Sequence, residues 1–452
     1  MSNVRQLILL ELNEVNFDIA RAYVGLLGLN NFRRLFEQGV HKTSAEARYE
    51  DLEPWIQWVS VHSGLSLAEH GIFRLGDIVS SQVPQFFEQV EGAGFRVGAI
   101  SPMNAANRLQ SPAYFIPDPW THTPTDGSRW SRSLWQTLSQ VVNDNASGRL
   151  TPASAAVLLA GLLRFARPRH YKLYLELGIG AIKHSWRRAL LLDLFLHDLH
   201  MRLYARHRPN FSTLFLNAGA HIQHHYLFNS RLVPPSPNTN PAWYVDAKVD
   251  PFGEMLRVYD VILGDYLDMP DTSLLLATGL TQQPYDRIKF YWRLRNHVNF
   301  LQLVGLRFTR ALPRMTRDFV VEFDDVAQAE AGQAQLASLK MVEDGVALFG
   351  DIDNRGTSLF VTLTYPKEIR SGMQVAGDTG SFELAPHVVF VAIKNGMHAP
   401  HGFVVGTGEV SVLLPADGEH VKSLHATILR YFGISRPVLG APVVSASTSP
   451  GD

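Results

Sequence analysis

The chain has 452 residues, 46% hydrophobic and 18% charged, a globular composition too apolar for a disordered chain. Forty-one Lys and Arg stand against 42 Asp and Glu, so the formal charge is −1, which excludes a whole-chain basic surface for nucleic acid and an acidic tail. The absence of cysteine excludes disulfides, cysteine-ligated zinc, iron–sulfur clusters and thiol nucleophiles, while 18 histidines and the carboxylates leave His/Asp/Glu metal sites open.

Gln6–Leu12 is a short apolar run with polar residues directly after it, the pattern of a buried parallel strand. Its apolar part, Leu7–Leu10, is too short for a signal sequence, and Glu11 closes it. Asn30–Gln38 has helical spacing. Pro54 opens a second predicted helix, PWIQWVSVHSG, with Gly64 at its end. Val83–Ala93 predicts a helix and Phe95–Ser101 a strand. Residues 103–135, rich in Pro, Asn, Ser, Thr and Trp, predict a long ordered loop over one sheet edge.

Residues 150 to 206 are helical by periodicity. Within them Ala155–Leu163 (AAVLLAGLL) is the most apolar stretch. It ends at Arg164, well short of the ~20 residues that a spanning helix needs, and predicts a buried or surface-packed helix. Strand Ser212–Asn217, a histidine cluster, a surface loop over 233–241, helix Phe252–Leu267 and strand Ser273–Thr278 follow. The β-then-α alternation predicts an α/β, doubly wound sheet with helices on both faces. Residues 281–380 break that alternation. Asp318–Glu322, a helical Val326–Leu339, VALFGDI and SLFVTLTY predict a small inserted α+β subdomain, with the parent sheet resuming at Val388–Ile393. The expected organisation is a core over 1–280, a lid or cap over 281–380, the rest of the core over 381–444 and a disordered tail over 445–452.

Eight segments in order carry a resemblance: LILLELNEV, LNNFRRLFEQGV, WVSVHSGLSLAEHGIF, FFEQVEGAGFRVGAIS, TLFLNAGAHIQHHY, VYDVILGDYLDMPDTSLLLAT, NGMHAPHGFVVGTG and HATILRYFGISRP. Together they resemble the alkaline phosphatase superfamily, nearest to its type I phosphodiesterase/nucleotide pyrophosphatase and sulfatase-like branch. The resemblance implies an alkaline-phosphatase-like fold over most of the chain outside the insert. It also implies two metal ions and a Thr or Ser nucleophile, a mechanism that this chain does not carry residue for residue. The family's first ligand Asp falls on Asn13, and its nucleophile falls near Pro54, where no hydroxyl stands. The Asp of its Asp-x-x-x-His segment falls on Ala220, but the His is kept as His224. Its Asp-His pair falls on Gly279 and Leu280. Its last His is kept as His398.

One half-site is therefore expected to survive: His224 and His398, with His221 three residues away and Asn13 as further candidate ligands, around at most one divalent ion, zinc or manganese. Glu11 and Asn13 share a side if the first strand runs on, with Glu14 turning away. Either they replace lost ligands or substrate-binding groups, or the turn is solvated and Asn13 caps the next helix. Glu53 is either a general base or a simple cap of the helix that follows. Gln282 and Trp55 are candidates for substrate contact, against a solvated loop and a core indole. Arg293, Arg295, Arg314 and Arg317 can clamp an anion or pack against acidic neighbours.

The expected function is that of an atypical hydrolase or transferase acting on a phosphate-like or other polar ester. Its substrate would be a small-molecule or a glycan- or lipid-linked anion. The chain is expected to be cytoplasmic, without nucleic acid or a membrane span, with oligomerisation left open. The alternatives are a metal-free pseudoenzyme used as a binding or scaffolding module, and a biosynthetic enzyme with rebuilt chemistry in the same cleft.

Overall fold

The computed structural model describes residues 5–143, 151–232, 238–314, 317–378 and 380–435. Its frame is a seven-stranded mixed sheet in the order His41–Ser44, His401–Gly406, Ser273–Ala277, Leu7–Leu12, Phe211–Leu216, Val97–Ile100, Tyr114–Ile116. Leu7–Leu12 lies at the centre, parallel to Phe211–Leu216 on one side and to Ser273–Ala277 on the other. His401–Gly406 runs antiparallel to both of its neighbours. All residues of the three central strands are buried, because helices cover both faces of the sheet.

Strand periodicity divides the core in two. Ile8, Leu10 and Leu12 face one apolar cluster with the long helices Trp186–His207 and Pro251–Leu267, while Leu7 and Leu9 face another with Trp58, Phe86 and Phe211. The helix after Glu53 runs Pro54–Ser63 with proline in its first turn and Gly64 as its left-handed C-cap, as its sequence predicts.

Three expectations change. The segment 103–135 is not all loop, since Tyr114–Ile116 pairs with Val97–Ile100 as the sheet's edge strand and a helix starts at Arg129. Val388 does not rejoin the central sheet. Val388–Ala399 pairs with Thr281–Leu294 in a long two-stranded antiparallel ribbon, and the sheet resumes only at His401. The sequence VALFGDI forms a strand only at its end, Asp351–Asn354. Beyond the ribbon, a four-stranded sheet and a three-stranded sheet pack with helices His297–Leu303 and Val326–Ser338 around a separate apolar cluster that includes Phe300, Phe319 and Leu359. The tail expected from Ser445 lies outside the described residues, as do residues 233–237 of the expected loop. No helix of the described residues is long and apolar enough to cross a membrane.

Edge pairing depends on a close approach at Gly98. A Cβ there would stand 2.5–2.8 Å from the Tyr114 ring, whose hydroxyl is bonded to Ser212 Oγ at 2.6 Å and cannot swing away. Gly98→Ala is expected to cost about 1–3 kcal/mol in urea unfolding. An unchanged midpoint would mean that the edge strand yields freely.

Candidate metal centre

The first strand ends in a turn pinned by both neighbouring strands: Asn13 N–H donates to Leu216 O at 3.0 Å and Glu14 N–H to Thr278 O at 3.0 Å. Glu14 adopts φ 61°, a left-handed conformation that L-residues other than glycine enter rarely. That twist reverses the expected direction of its side chain. Instead of turning away, the Glu14 carboxylate points inward and is 1% exposed.

The same turn is tied to two further elements. Gln223 Nε2 donates to Glu14 O at 2.8 Å, and Asn16 N–H donates to Gln223 Oε1 at 3.2 Å. Asn16, rather than Asn13, caps the following helix, through Ile19 N–H. Asn16 Nδ2 reaches the ribbon at Gln282 O, 2.8 Å away.

Four side chains converge on Glu14. Asn13 Nδ2 donates to Oε1 at 3.1 Å, and Gln282 Nε2 donates to Oε2. His224 Nε2 and His398 Nε2 lie 3.1 Å and 3.2 Å from the same Oε2, and 3.3 Å from each other. His224 comes from helix Ala218–Tyr226, whose first turn is anchored by Asp193: that carboxylate accepts from Ala218 N–H at 2.8 Å and from Tyr259 Oη at 2.6 Å. His398 comes from the returning strand of the ribbon, directly opposite Gln282 in register. Burial alone would raise the Glu14 pKa, but the charges of His398 and His224 and their hydrogen bonds overcome it and hold the carboxyl far below its usual range. The partner effect is a raised pKa at His398: Glu14 outweighs the desolvation of the imidazole.

The donor set fits a divalent ion. Three ligands held at about 2.0–2.1 Å from a tetrahedral zinc are about 3.3 Å apart. Glu14 Oε2, His224 Nε2 and His398 Nε2 form a triangle with edges of 3.1, 3.2 and 3.3 Å. Asn13 and Gln282 are the outer hydrogen bonds that orient the carboxylate. The His224 side chain is 30% exposed, so the cluster reaches the surface on its side.

An aromatic ring takes the space between Asn13 and Gly279. Asn13 Oδ1 accepts from Trp58 Nε1 at 2.8 Å, and a Cβ at Gly279 would stand 3.0–3.3 Å from the same indole ring. The indole therefore wedges the first strand's turn against the turn after Ser273–Ala277. Another His/Asp group, His170, His197 and Asp265, is also close enough to hold an ion. Its carboxylate already faces the guanidinium groups of Arg167 and Arg169, and two fixed cations there oppose a third.

The other sequence candidates are placed as follows. Glu11 shares the strand face of Leu7 and Leu9, as period two requires, and is fully buried. It accepts from Thr213 Oγ1 with His62 Nε2 at 3.8 Å, closed off from the cluster and from solvent. His221 packs beside the His225 ring at 5.0 Å, with burial holding it down to about 4, and does not join the triangle. Asn13 holds Glu14 and Asn217 by hydrogen bonds rather than facing the open side. Gln282 is buried, with its Nε2 donating to Glu14 and Ala220 O, and half-buried Trp55 donates its N–H to Phe73 O at 3.1 Å. Glu53 does reach the site: it is 33% exposed, and its Oε2 lies 4.0 Å from His398 Nδ1. Burial, reinforced by Glu14, pushes its pKa up to about 7 against the pull of His398 and Lys394.

Sequence reasoning missed Glu14 and Lys394. The available signal for Glu14 was its place, an acidic residue directly after a buried parallel strand. Lys394 lies within 3.2 Å of Tyr49 Oη and 4.3 Å from the centre of the Tyr285 ring. Burial and the cations Lys289 and Arg317 bring its pKa down to about 8.

The Trp58 plug gives a direct expectation. Gly279→Ala meets both a left-handed φ of 71° and the indole, and is expected to cost about 1–3 kcal/mol in unfolding. An unchanged unfolding midpoint in Gly279→Ala would mean that the indole yields freely.

No family model matches the sequence, and no curated protein matches it. Solved structures do. Phosphonoacetate hydrolase from Sinorhizobium meliloti 1021 is similar at 13% identity and TM-score 0.40, over 94% of this chain and 96% of that one. Alkaline phosphatase from the Antarctic bacterium TAB5 is similar at 10% identity and TM-score 0.40, over 95% and 98%. Murine ectonucleotide pyrophosphatase/phosphodiesterase 5 is similar at 10% identity and TM-score 0.40, over 96% of each chain.

Proposed function

We propose that the chain is a hydrolase or transferase of anionic, phosphate-like esters that works with one divalent ion and without a Ser or Thr nucleophile. The observation that carries this reading is the triangle of Glu14 Oε2, His224 Nε2 and His398 Nε2 with edges of 3.1–3.3 Å. A zinc or manganese ion held there would supply a Lewis acid for charge developing on the transferred group. Glu53, beside His398 and partly open to solvent, takes the proton of an attacking water or acceptor hydroxyl. Lys394, Lys289 and Arg317 make the approach to Glu53 cationic, which favours an anionic substrate. A cleft of about 430 Å³ lined by Tyr285, Arg287, Lys289 and Lys367 extends from Tyr285 between the ribbon and the insert, and offers room for the rest of a small-molecule, glycan-linked or lipid-linked substrate. The lack of cysteine is compatible with a cytoplasmic setting.

The missing hydroxyl at Pro54 favours a second reading, a binding module that uses this cleft without turnover. Turnover separates the two. The purified protein, supplied with zinc or manganese, is assayed on aryl phosphodiesters, sulfates and phosphonates. Activity that a chelator abolishes is expected. An ion-loaded protein inert on every ester class would favour the binding module.

Within an active enzyme, Glu53→Gln is expected to lower kcat by about 10²–10⁴-fold with the ion retained. Burial raises the Glu53 carboxyl, so its proton-accepting form grows in as pH rises; kcat is expected to climb with pH, and Glu53→Gln to remove that limb. Lys394→Met is expected to raise KM more than it lowers kcat, as a group binding ground and transition states alike would. A pure kcat effect would assign it to the chemistry instead.

A further inference from the structure

Two consecutive helices turn apolar stripes toward solvent. In Pro152–Phe165 the outward positions are Pro152, Ala153, Ala156, Leu159, Ala160 and Leu163, while Ser154 is buried. Phe165, Val157, Leu158 and Leu162 pack inward, so the helix is apolar on both faces rather than polar toward solvent. In Tyr171–Gly180 and just beyond it, Tyr171, Leu175, Ile179 and Ile182 lie outward at spacings of three and four. Leu163, Ile179 and Ile182 are 78%, 70% and 87% exposed, the first and last among the most exposed large apolar side chains of the described residues. Both helices lean on the long helix Trp186–His207 with their other faces.

The charge around this face is one-sided. Residues 151–190 hold seven Lys and Arg and a single acidic residue, Glu176; Arg167, Arg169, Lys172 and Arg187 are paired with Asp265, Glu176 and Glu254, and the other three are not. Arg164, Lys183 and Arg188 have no acidic partner among the described residues. Arg164 instead lies over the Trp130 and Phe165 rings at 5.3 and 5.5 Å.

We propose that this face is a docking surface for an anionic lipid bilayer. Aliphatic side chains raised on convex helices enter acyl chains without a complementary pocket, and a rim of Lys and Arg meets anionic headgroups. A protein partner would be expected to meet aromatic anchors in concave pockets instead. A second copy docked through the same patch would set one basic rim against another. The helices lie on the bilayer rather than through it: the 14 residues of Pro152–Phe165 rise only about 21 Å, against a hydrocarbon core of about 30 Å. This inference is independent of the proposed chemistry.

The test is sedimentation of the full chain with vesicles of phosphatidylcholine alone and of phosphatidylcholine mixed with phosphatidylglycerol. The wild type is expected to bind the mixed vesicles and to release as salt rises. Leu163→Ser/Ile182→Ser is expected to lower the partition coefficient about tenfold or more, and Lys183→Gln/Arg188→Gln to lower it selectively on the mixed vesicles. Because these residues are exposed, circular dichroism of the variants is expected to match the wild type. The proposal is overturned if the wild type binds neither vesicle or if the serine variant binds as well as the wild type. It is equally overturned if light scattering shows a vesicle-free dimer that the serine variant dissolves, which would make the face an interface between copies.

Discussion

A single buried negative charge organises this molecule. The Glu14 carboxylate sits out of water at the end of the central strand, where an uncompensated charge would cost several kcal/mol. Compensation arrives from four elements at once: Asn13 from the turn itself, His224 from the helix after Phe211–Leu216, Gln282 from the outgoing ribbon strand and His398 from the returning one. The strained φ of Glu14, on the order of 1 kcal/mol, is held because both flanking strands and Gln223 grip the turn. Sheet, helix and ribbon are thus registered against one oxygen atom, and the approach to the insert begins where that ribbon leaves the sheet.

The same turn explains why the site is asymmetric. Asn13 is neutral where a second carboxylate would be needed, and its amide oxygen is taken by the Trp58 indole. Gly279 leaves just enough room for that ring. On the open side Lys394 stands near Glu53, with Lys289 and Arg317 close to Lys394, so side chains supply a positive potential there.

Much of the frame was legible in the sequence because burial on both faces of a parallel sheet writes itself as continuous apolar runs. Leu7–Leu12, Phe211–Leu216 and Ser273–Ala277 fall within a residue or so of their expected limits. His224 and His398 could be singled out by their segments, and Glu53 by its place before Pro54. What could not be read was direction. An extended continuation of the first strand puts Glu11 and Asn13 on one side and turns Glu14 away, and only a left-handed residue, a tertiary outcome, reverses it. The ribbon was misjudged for a similar reason: Val388–Ile393 has the composition of a sheet strand, but its partner, Thr281–Leu294, is rich in polar residues and gives little periodic signal. The edge strand Tyr114–Ile116 is only three residues long and was hidden in a loop-like composition.

The central claim is that Glu14, not the ligand positions suggested by the family pattern alone, completes a site for one ion. Its most direct test is titration of the metal-free protein with zinc and manganese by calorimetry, on wild type and on Glu14→Gln, which keeps the side chain's shape and removes its charge. The account predicts one ion per chain in the wild type and loss of at least ten- to hundredfold in affinity in Glu14→Gln. Two ions per chain, no binding at all, or equal affinity in the variant would contradict it.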